Sequence, residues 1–209
     1  MSTAIAVYGA GGHGKVVADI LLAGGHVIET FLDDNSAVVG RRILGLPVCS
    51  AEAWLASNAG ARVALGIGDN RARERAVIRV RDHGCELLTA IHPASIVSTT
   101  AKIAAGVAVM AAAVLNPDCE IGEGAIINTS AIVEHDVKVG RYAHLSPRCA
   151  IGGGAHIGAY AHLGIGAIVL PLKRVGANAV VGAGAVVIDD IADYQVASGV
   201  PARVHSQRA

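Results

Sequence analysis

A six-residue repeat that runs from residue 91 to residue 192 constrains the fold of this chain more than any other feature. Four places after each aliphatic residue of the repeat stands a mostly small residue, which is alanine ten times and cysteine at Cys119 and Cys149. Glycine often follows the aliphatic residue directly, as at Gly122, Gly140 and Gly158. The aliphatic positions number seventeen without a slip: Ile91, Val97, Ile103, Val109, Leu115, Ile121, Ile127, Val133, Val139, Leu145, Ile151, Ile157, Leu163, Val169, Val175, Val181 and Val187.

The period of six decides between the regular structures. An α-helix turns every 3.6 residues, so a six-residue pattern drifts around it, and frequent glycine disfavours a helix. A flat sheet would need turns at variable spacing. Three short strands per coil, joined at glycine-rich corners, would point both the aliphatic and the small residue inward. The repeat therefore predicts a three-sided prism, the hexapeptide form of the parallel β-helix, with about eighteen residues per coil.

The first ninety residues show the pattern of a nucleotide-binding α/β unit. A strand over 4–8 runs into a G-x-G-x-x-G turn over 9–14, followed by a helix over about 15–23 and a strand over 27–32 that ends in Asp33 and Asp34. Backbone N–H groups at such a turn can bind a diphosphate, and the acid can bond a ribose or a base edge. The alternative interpretation is a glycine-rich turn that binds no ligand.

The rest of this unit completes only half of a dinucleotide-binding fold. We predict a turn at 45–47, a short helix after Ser50, a strand over 63–67, a helix over 71–82 and a strand over 85–90, with His92-Pro93 as the joint to the repeat. A single βαβαβ half suits a mononucleotide or nucleotide diphosphate better than NAD. A dinucleotide reductase is accordingly disfavoured.

Composition excludes several classes of partner. Seventeen Lys and Arg balance seventeen Asp and Glu, so net charge indicates neither a nucleic acid nor a membrane surface as partner. No apolar run reaches the roughly 18 residues of a spanning helix, and the first residues lack the pattern of a signal peptide. Four scattered cysteines favour free thiols over a disulfide framework. We expect a cytoplasmic protein without membrane insertion.

Candidate chemical groups are the histidines that depart from the repeat. His135 lies near a corner between Glu134 and Asp136, where an acid could orient its ring, although a solvated surface histidine is the alternative. His144 and His162 are one coil apart and should stack at roughly 5 Å on the outer surface. With His156 on a neighbouring face they could instead form a metal site between subunits, as in a zinc-dependent hydratase of the carbonic anhydrase type.

Five segments together resemble the hexapeptide-repeat acyltransferases that acetylate nucleotide-linked amino sugars, the PglD and perosamine N-acetyltransferase type; sialic acid O-acetyltransferases are similar too. These segments are 8–17, 31–34, 67–70, 128–136 and 199–203. The resemblance implies a half-Rossmann α/β domain over 1–90 and a left-handed parallel β-helix over 91–192, followed by a C-terminal cap over 193–209. It also implies a homotrimer with active sites between subunits.

The resemblance further implies a role for individual residues. His135 would be the catalytic base and Asp136 the acid that raises its basicity. The acceptor amine would lie near Asn128. Acetyl-CoA, the co-substrate, would contact His144, Ile165 and Ala183, and no metal is expected. The nucleotide sugar would be held by six residues: Gly11, Gly12, His13, Asp33, Asp34 and Gly68.

The implied activity is transfer of an acetyl group from acetyl-CoA to the 4-amino group of a nucleotide-linked deoxy-sugar, for bacterial glycan biosynthesis. O-acetylation of a sugar hydroxyl, with the same histidine as base, remains an alternative within the enzyme class. A scaffold that binds a nucleotide sugar without turnover is an alternative from another class.

Overall fold

The computed structural model of the chain describes residues 4–207. The chain divides into two compact units, Met1–Pro93 and Ala94–Ala209. Among the described residues, no helix is both long and apolar enough to cross a bilayer.

The first unit is a three-helix α/β unit around a six-stranded sheet. Its helices are α1 (Gly12–Ala23), α2 (Ala51–Ser57) and α3 (Asn70–Asp82). Its strands are β1 (Ile5–Tyr8), β2 (Thr30–Asp33), β3 (Arg42–Ile43), β4 (Leu46–Ser50), β5 (Arg62–Leu65) and β6 (Glu86–Leu87); a further short strand is β7 (Ala90–Ile91). The sheet order is β3-β4-β2-β1-β5-β6, parallel except for the β3–β4 hairpin.

The central strand explains why the N-terminal segment is apolar at every position. β1 lies between β2 and β5, and all four of its residues are buried. A parallel strand covered on both faces needs such a continuous apolar run. The chain passes from β1 to β2 on one side and later to β5 on the other, which makes the carboxyl end of β1 a topological switch point.

Several element boundaries in this unit differ from the prediction. β2 begins at Thr30 rather than at residue 27, and β6 ends at Leu87 rather than at residue 90. α1 begins at Gly12 rather than at residue 15, because Gly11 serves as the N-cap residue with extended backbone and the last glycines of the motif form the first turn. Residues 46–50, expected to begin with a turn, form β4 instead, which pairs with β2 through Val48 and Cys49. The turn itself is one step earlier, at Leu44 and Gly45, both of which have positive φ.

The second unit is built from two-residue strands at six-residue intervals, as the repeat predicts. They are β8 (Ile96–Val97), β9 (Lys102–Ile103), β10 (Ala108–Val109), β11 (Val114–Leu115), β12 (Glu120–Ile121), β13 (Ile126–Ile127), β14 (Ile132–Val133), β15 (Lys138–Val139), β16 (His144–Leu145), β17 (Ala150–Ile151), β18 (His156–Ile157), β19 (His162–Leu163), β20 (Ile168–Val169), β21 (Arg174–Val175), β22 (Val180–Val181) and β23 (Val186–Val187).

These strands stack in parallel, each on the strand one coil away, and so form the three faces of a column. Face A contains β10, β13, β16, β19 and β22; face B contains β8, β11, β14, β17, β20 and β23; face C contains β9, β12, β15, β18 and β21. The inward aliphatic residues and the small residues four places later form one continuous buried core. The predicted left-handed β-helix of hexapeptide repeats is confirmed.

The corners of the column depart in part from the prediction. The residue with left-handed backbone recurs every six positions from 106 to 184, and only five of these fourteen residues are glycine. The glycine that follows the aliphatic residue has another role. A Cβ at Gly122 or Gly140 would lie 2.5 Å from a backbone nitrogen of the next coil. Those glycines permit close stacking of coils and do not themselves turn the chain.

The end of the chain extends face A. β24 (Gln195–Ser198) pairs in parallel with β22, and β25 (Arg203–Gln207) returns antiparallel beside β24.

Candidate active site

A cavity of about 400 Å³ opens at the carboxyl ends of β1, β2 and β5. This edge is where ligands bind in open α/β sheets. All six residues predicted to hold a nucleotide sugar line it, together with Tyr8, Gly9, Gly66 and Ile67; the six are Gly11, Gly12, His13, Asp33, Asp34 and Gly68.

The glycines of this cavity divide into two groups. Gly9 has φ +113°, and a Cβ at Gly14 would lie 1.8 Å from the carbonyl oxygen of Gly9, so these two glycines are required by the strand–helix packing itself. Gly11, Gly12 and Gly68 have no atom within 4 Å of an added Cβ, and none has positive φ. Nothing in the fold demands glycine at these three positions. Gly11 and Gly12 leave open space at the start of α1, where a diphosphate could approach backbone N–H groups, and Gly68 leaves open space in the loop between β5 and α3.

The two acidic residues after β2 have different surroundings. Asp33 accepts hydrogen bonds from the backbone N–H groups of Ala10 and Asn35, at 2.9 and 2.8 Å, which ties the glycine turn to the end of β2. Asp34 accepts a hydrogen bond from the Tyr8 hydroxyl at 2.8 Å and forms an ion pair with Arg79. Arg79 also donates to the Tyr8 oxygen at 2.9 Å. Burial, with Asp34 adding to it, raises the pKa of Tyr8 above its ordinary value, so the phenol stays protonated and donates to the carboxylate.

A buried arginine fixes the opposite wall of the cavity. Arg73, on α3, is 1% exposed, and its guanidinium donates to the carbonyl oxygens of Ile67 and Gly68, at 2.9 and 3.0 Å, and to Asn70 at 2.8 Å. Burial and the charge of Arg73 lower the pKa of His13 to about 4. The His13 imidazole is therefore neutral near pH 7 and presents a polar but uncharged group to the cavity.

His135 and Asp136 form a hydrogen-bonded pair at the corner between faces B and C. Asp136 Oδ2 accepts from His135 Nδ1 at 2.8 Å. This fixes the tautomer with a free lone pair on Nε2, the atom that a base needs. The hydrogen bond to Asp136, reinforced by the charges of Asp136 and Glu134, raises the pKa of His135.

The local backbone explains why the neighbouring aspartate reaches the ring. Asp136 has φ +60°, a conformation that aspartate tolerates better than most residues, and its N–H donates to the Pro117 carbonyl one coil away. Glu134, the other acid beside His135, instead accepts from the Asn116 amide at 2.9 Å. Of the two acids that the sequence offered, the structure pairs Asp136 with the ring.

The other predicted residues of the column lie on face A and at the corner that follows it. Asn128 Nδ2 is 3.1 Å from His144 Nε2, and the rings of His144 and His162 are 5.0 Å apart at 66°. The predicted spacing of these two imidazoles is confirmed. Ile165 and Ala183 are exposed at the corner between faces A and B, one coil apart.

Within one chain, the column does not bring its two predicted groups together. The pair His135 and Asp136 is at one corner, whereas Asn128, His144, Ile165 and Ala183 lie at or near another. The strand segment of face B separates these corners by roughly 17 Å, the length of five extended residues. A site that brought both groups to the same reacting atom would need a second copy of the column.

Two further observations limit the chemistry available to the column. Burial raises the pKa of the Cys119 and Cys149 thiols to about 11, so these inward cysteines are packing groups and not nucleophiles. No group of three or more metal-ligating His, Cys, Asp or Glu side chains is found among residues 4–207.

Some residues around the cavity were not predicted from sequence. The predicted strand over 4–8 gives Tyr8 no particular role, and the predicted helix over 71–82 does not single out Arg73 or Arg79. Arg79 is 71 residues from Tyr8, and no local pattern signals such a contact. The sequence gives a weak indication that Arg73 is buried, since Val77 and Val80 lie on the same face of α3.

Comparison with known proteins places this geometry in a family. A family model described as the PglD N-terminal domain matches residues 4–80. The chain is 39% identical to perosamine N-acetyltransferase from Caulobacter crescentus, solved as a variant in complex with CoA and GDP-perosamine, with 99% of each chain covered and a TM-score of 0.93. Among curated protein sequences no significant match is found.

Two further solved structures are similar over nearly the whole chain. The acetyltransferase domain of PglB from Neisseria gonorrhoeae, in complex with acetyl coenzyme A, is 36% identical, with 98% of this chain and 100% of that chain covered and a TM-score of 0.92. WeeI from Acinetobacter baumannii is 25% identical, with the same coverage and a TM-score of 0.86. From its fold, its cavity and these similarities, the chain belongs to the PglD and perosamine N-acetyltransferase family of left-handed β-helix acyltransferases.

Proposed function

We propose that this protein transfers an acetyl group from acetyl-CoA to the 4-amino group of a nucleotide-linked amino-deoxy sugar. The observation that carries the proposal is the His135–Asp136 pair, with Nδ1 bonded to the carboxylate at 2.8 Å and Nε2 available as a base. The relatives support the two substrates: the Caulobacter enzyme is described with CoA and GDP-perosamine, and the Neisseria domain with acetyl coenzyme A.

The proposed reaction is a direct transfer. The amine attacks the thioester carbonyl carbon while His135 Nε2 takes the amine proton, and Asp136 stabilises the resulting imidazolium. A backbone N–H would stabilise the oxyanion. The C–S bond then breaks, CoA leaves as a thiolate, and the proton passes from the imidazolium to the sulfur. Because the thiolate is a good leaving group, the step needs no covalent enzyme intermediate, which agrees with the inert thiols of the column.

The nucleotide sugar would be held by the cavity of the first unit. Gly11, Gly12 and Gly68 leave room for the diphosphate, and Asp33 and Asp34 lie where a ribose or a base edge can be bonded. The 4-amino sugar would be the part of this substrate that meets His135.

We further propose a homotrimer with active sites between subunits. The support is the separation of the two predicted groups on different corners of the column, His135 on one and His144 on another. Face B carries exposed Ile96, Ile132 and Ile168, the kind of apolar surface that subunits bury, whereas face C carries Lys102, Glu120 and Lys138. We propose a cytoplasmic location, where acetyl-CoA and nucleotide sugars are made, and a product used for bacterial glycan synthesis.

The test is an acetyl-transfer assay that follows CoA release with UDP-, GDP- and dTDP-linked 4-amino sugars, and with a free sialic acid as the hydroxyl acceptor. We expect turnover with one class of 4-amino sugar, and a fall in kcat of roughly 10²–10⁴ for His135→Ala, the usual contribution of a general base. Turnover only on the hydroxyl acceptor would overturn the amine assignment. Tight binding of a nucleotide sugar with no CoA release would overturn the assignment of the protein as an enzyme.

A further inference from the structure

The residue one coil beyond His135 is Gly153, and the two corners are joined by a hydrogen bond from the Gly154 N–H to the His135 carbonyl at 2.9 Å. The His135 ring lies over Gly153. A Cβ added at Gly153 would be 2.6 Å from His135 Nε2 and 2.7 Å from Cε1, distances that no side chain could keep. The atom closest to Gly153 is therefore the proposed base itself.

The backbone does not require glycine at this position. The left-handed residue of this corner is Gly154, with φ +67°, whereas Gly153 has no positive φ. The equivalent register position occurs fourteen times between residues 105 and 183, and only at Gly153 is it glycine; the others carry side chains as large as Ile165 and Arg141. Corners of this column thus accept side chains at this position generally.

Gly153 also differs from the glycines that pack the coils together. At Gly122, Gly140 and Gly158 the nearest atoms to an added Cβ belong to the backbone of the next coil. At Gly153 the three nearest atoms all belong to the His135 ring. This ring is on the surface, with 63% of its side chain exposed, and it can swing away. An added methyl would therefore move the imidazole and leave the column intact.

We infer that Gly153 is a positioning residue for the proposed acetyl transfer: its missing side chain leaves the space in which the His135 imidazole lies against the next coil while Asp136 holds Nδ1. The inference rests on the proposed role of His135 as the base. A side chain at position 153 forces the ring outward, lengthens the bond to Asp136 and moves Nε2 from the point where the amine arrives.

The experiment compares Gly153→Ala with the unsubstituted protein. We expect kcat to fall roughly 10–100-fold, because a displacement of about 1 Å can cost 10²-fold. KM for both substrates and Tm should change little. The acid limb of the kcat–pH profile should move to lower pH as the ring loses Asp136, a change that a merely structural glycine would not produce. Ala105→Ser, at the equivalent position of another corner and exposed, is the control and should leave kcat unchanged.

A double-substitution cycle separates the possible failures. In a His135→Ala background there is no ring to displace, so Gly153→Ala should alter neither the residual rate nor Tm. If the double variant unfolds at lower temperature than His135→Ala alone, Gly153 is structural and the inference is overturned. It is also overturned if Gly153→Ala keeps full kcat while His135→Ala loses it. If His135→Ala itself keeps full activity, the proposed role of His135 is what fails.

Discussion

In the first unit, Asp34 of the cavity is held by side chains from distant parts of the chain, whereas in the column the exposed His135 is held by its own neighbour and lies against the next coil. Asp34 accepts hydrogen bonds from Tyr8 and Arg79, which are 26 and 45 residues away. His135 is bonded to Asp136, one residue away, and lies over Gly153, one coil away.

The difference follows from how each unit generates its surface. A doubly wound sheet brings the ends of several strands to one edge, so its functional groups come from separate segments and need long-range side-chain contacts to fix them. A repeating column places every outer residue by backbone pairing between coils, so one local departure from the repeat suffices to present a functional side chain.

The column core should be the most sensitive to truncation. Leu145 is fully buried in the continuous core, and Leu145→Ala should lower the free energy of unfolding by about 2–5 kcal/mol, the range for large-to-small core changes. Urea unfolding measures this. Lys138→Ala, at an exposed position on face C of the same column, should change the free energy by less than about 0.5 kcal/mol. Equal losses at both positions would contradict an inward-facing core.

Loss of the buried arginine should destabilise the first unit through its hydrogen bonds. Arg73→Met keeps the volume of the side chain but leaves the Ile67 and Gly68 carbonyls without their donor, which should cost about 2–3 kcal/mol. KM for the nucleotide sugar should rise as this wall of the cavity loosens. Arg71→Met, at an exposed position on the same helix, is the matched control and should be near neutral. An unchanged KM in a folded Arg73→Met protein would contradict the role of that wall.

Removing the charge next to the base should change its pH dependence. Asp136→Asn keeps a residue that tolerates positive φ, but it loses the carboxylate that raises the pKa of His135. The histidine acts as a base only when it is neutral. Its raised pKa therefore places the acid limb of the kcat–pH profile at higher pH than for a histidine without a carboxylate partner. In the variant this limb should shift to lower pH. The plateau kcat should fall roughly tenfold with the lost basicity. If the acid limb of the kcat–pH profile did not move, a group other than His135 would determine its position.

The smallest effect is expected at the surface ion pair beside the cavity. Arg79→Met removes one of the two groups that hold Asp34, and the partly exposed pair should contribute only about 0.2–1 kcal/mol. KM for the nucleotide sugar should rise about two- to fivefold with kcat unchanged. The effect should shrink as salt is added, because exposed charges are screened. If Arg79→Met lowered the free energy of unfolding as much as Arg73→Met, the ion pair with Asp34 would contribute more to stability than its exposure indicates.

Much of the column could be predicted from sequence because its information is local and periodic. The period of six predicted the inward residues, the spacing of His144 and His162 one coil apart, and the corner that carries His135. The role of Gly153 had a sequence signal that the prediction did not use, namely the only glycine at its register position. The first unit was predicted less completely. Its glycine motif located the cavity, but the β3–β4 hairpin was missed because Pro47, a weak strand former, follows a turn.

The order of aliphatic, small and glycine residues is enough to predict that residues beyond the joint form stacked coils, because a coil of three short strands keeps a period of six in register. It also determined which imidazole departs from that order. Three other features emerge only in the folded chain. The His135 ring pairs with Asp136 and not with Glu134. Arg79 and Tyr8 bind Asp34, and Arg73 is buried beside the cavity. These contacts depend on side-chain directions and on segments that meet only when the chain is folded, and no linear pattern contains either.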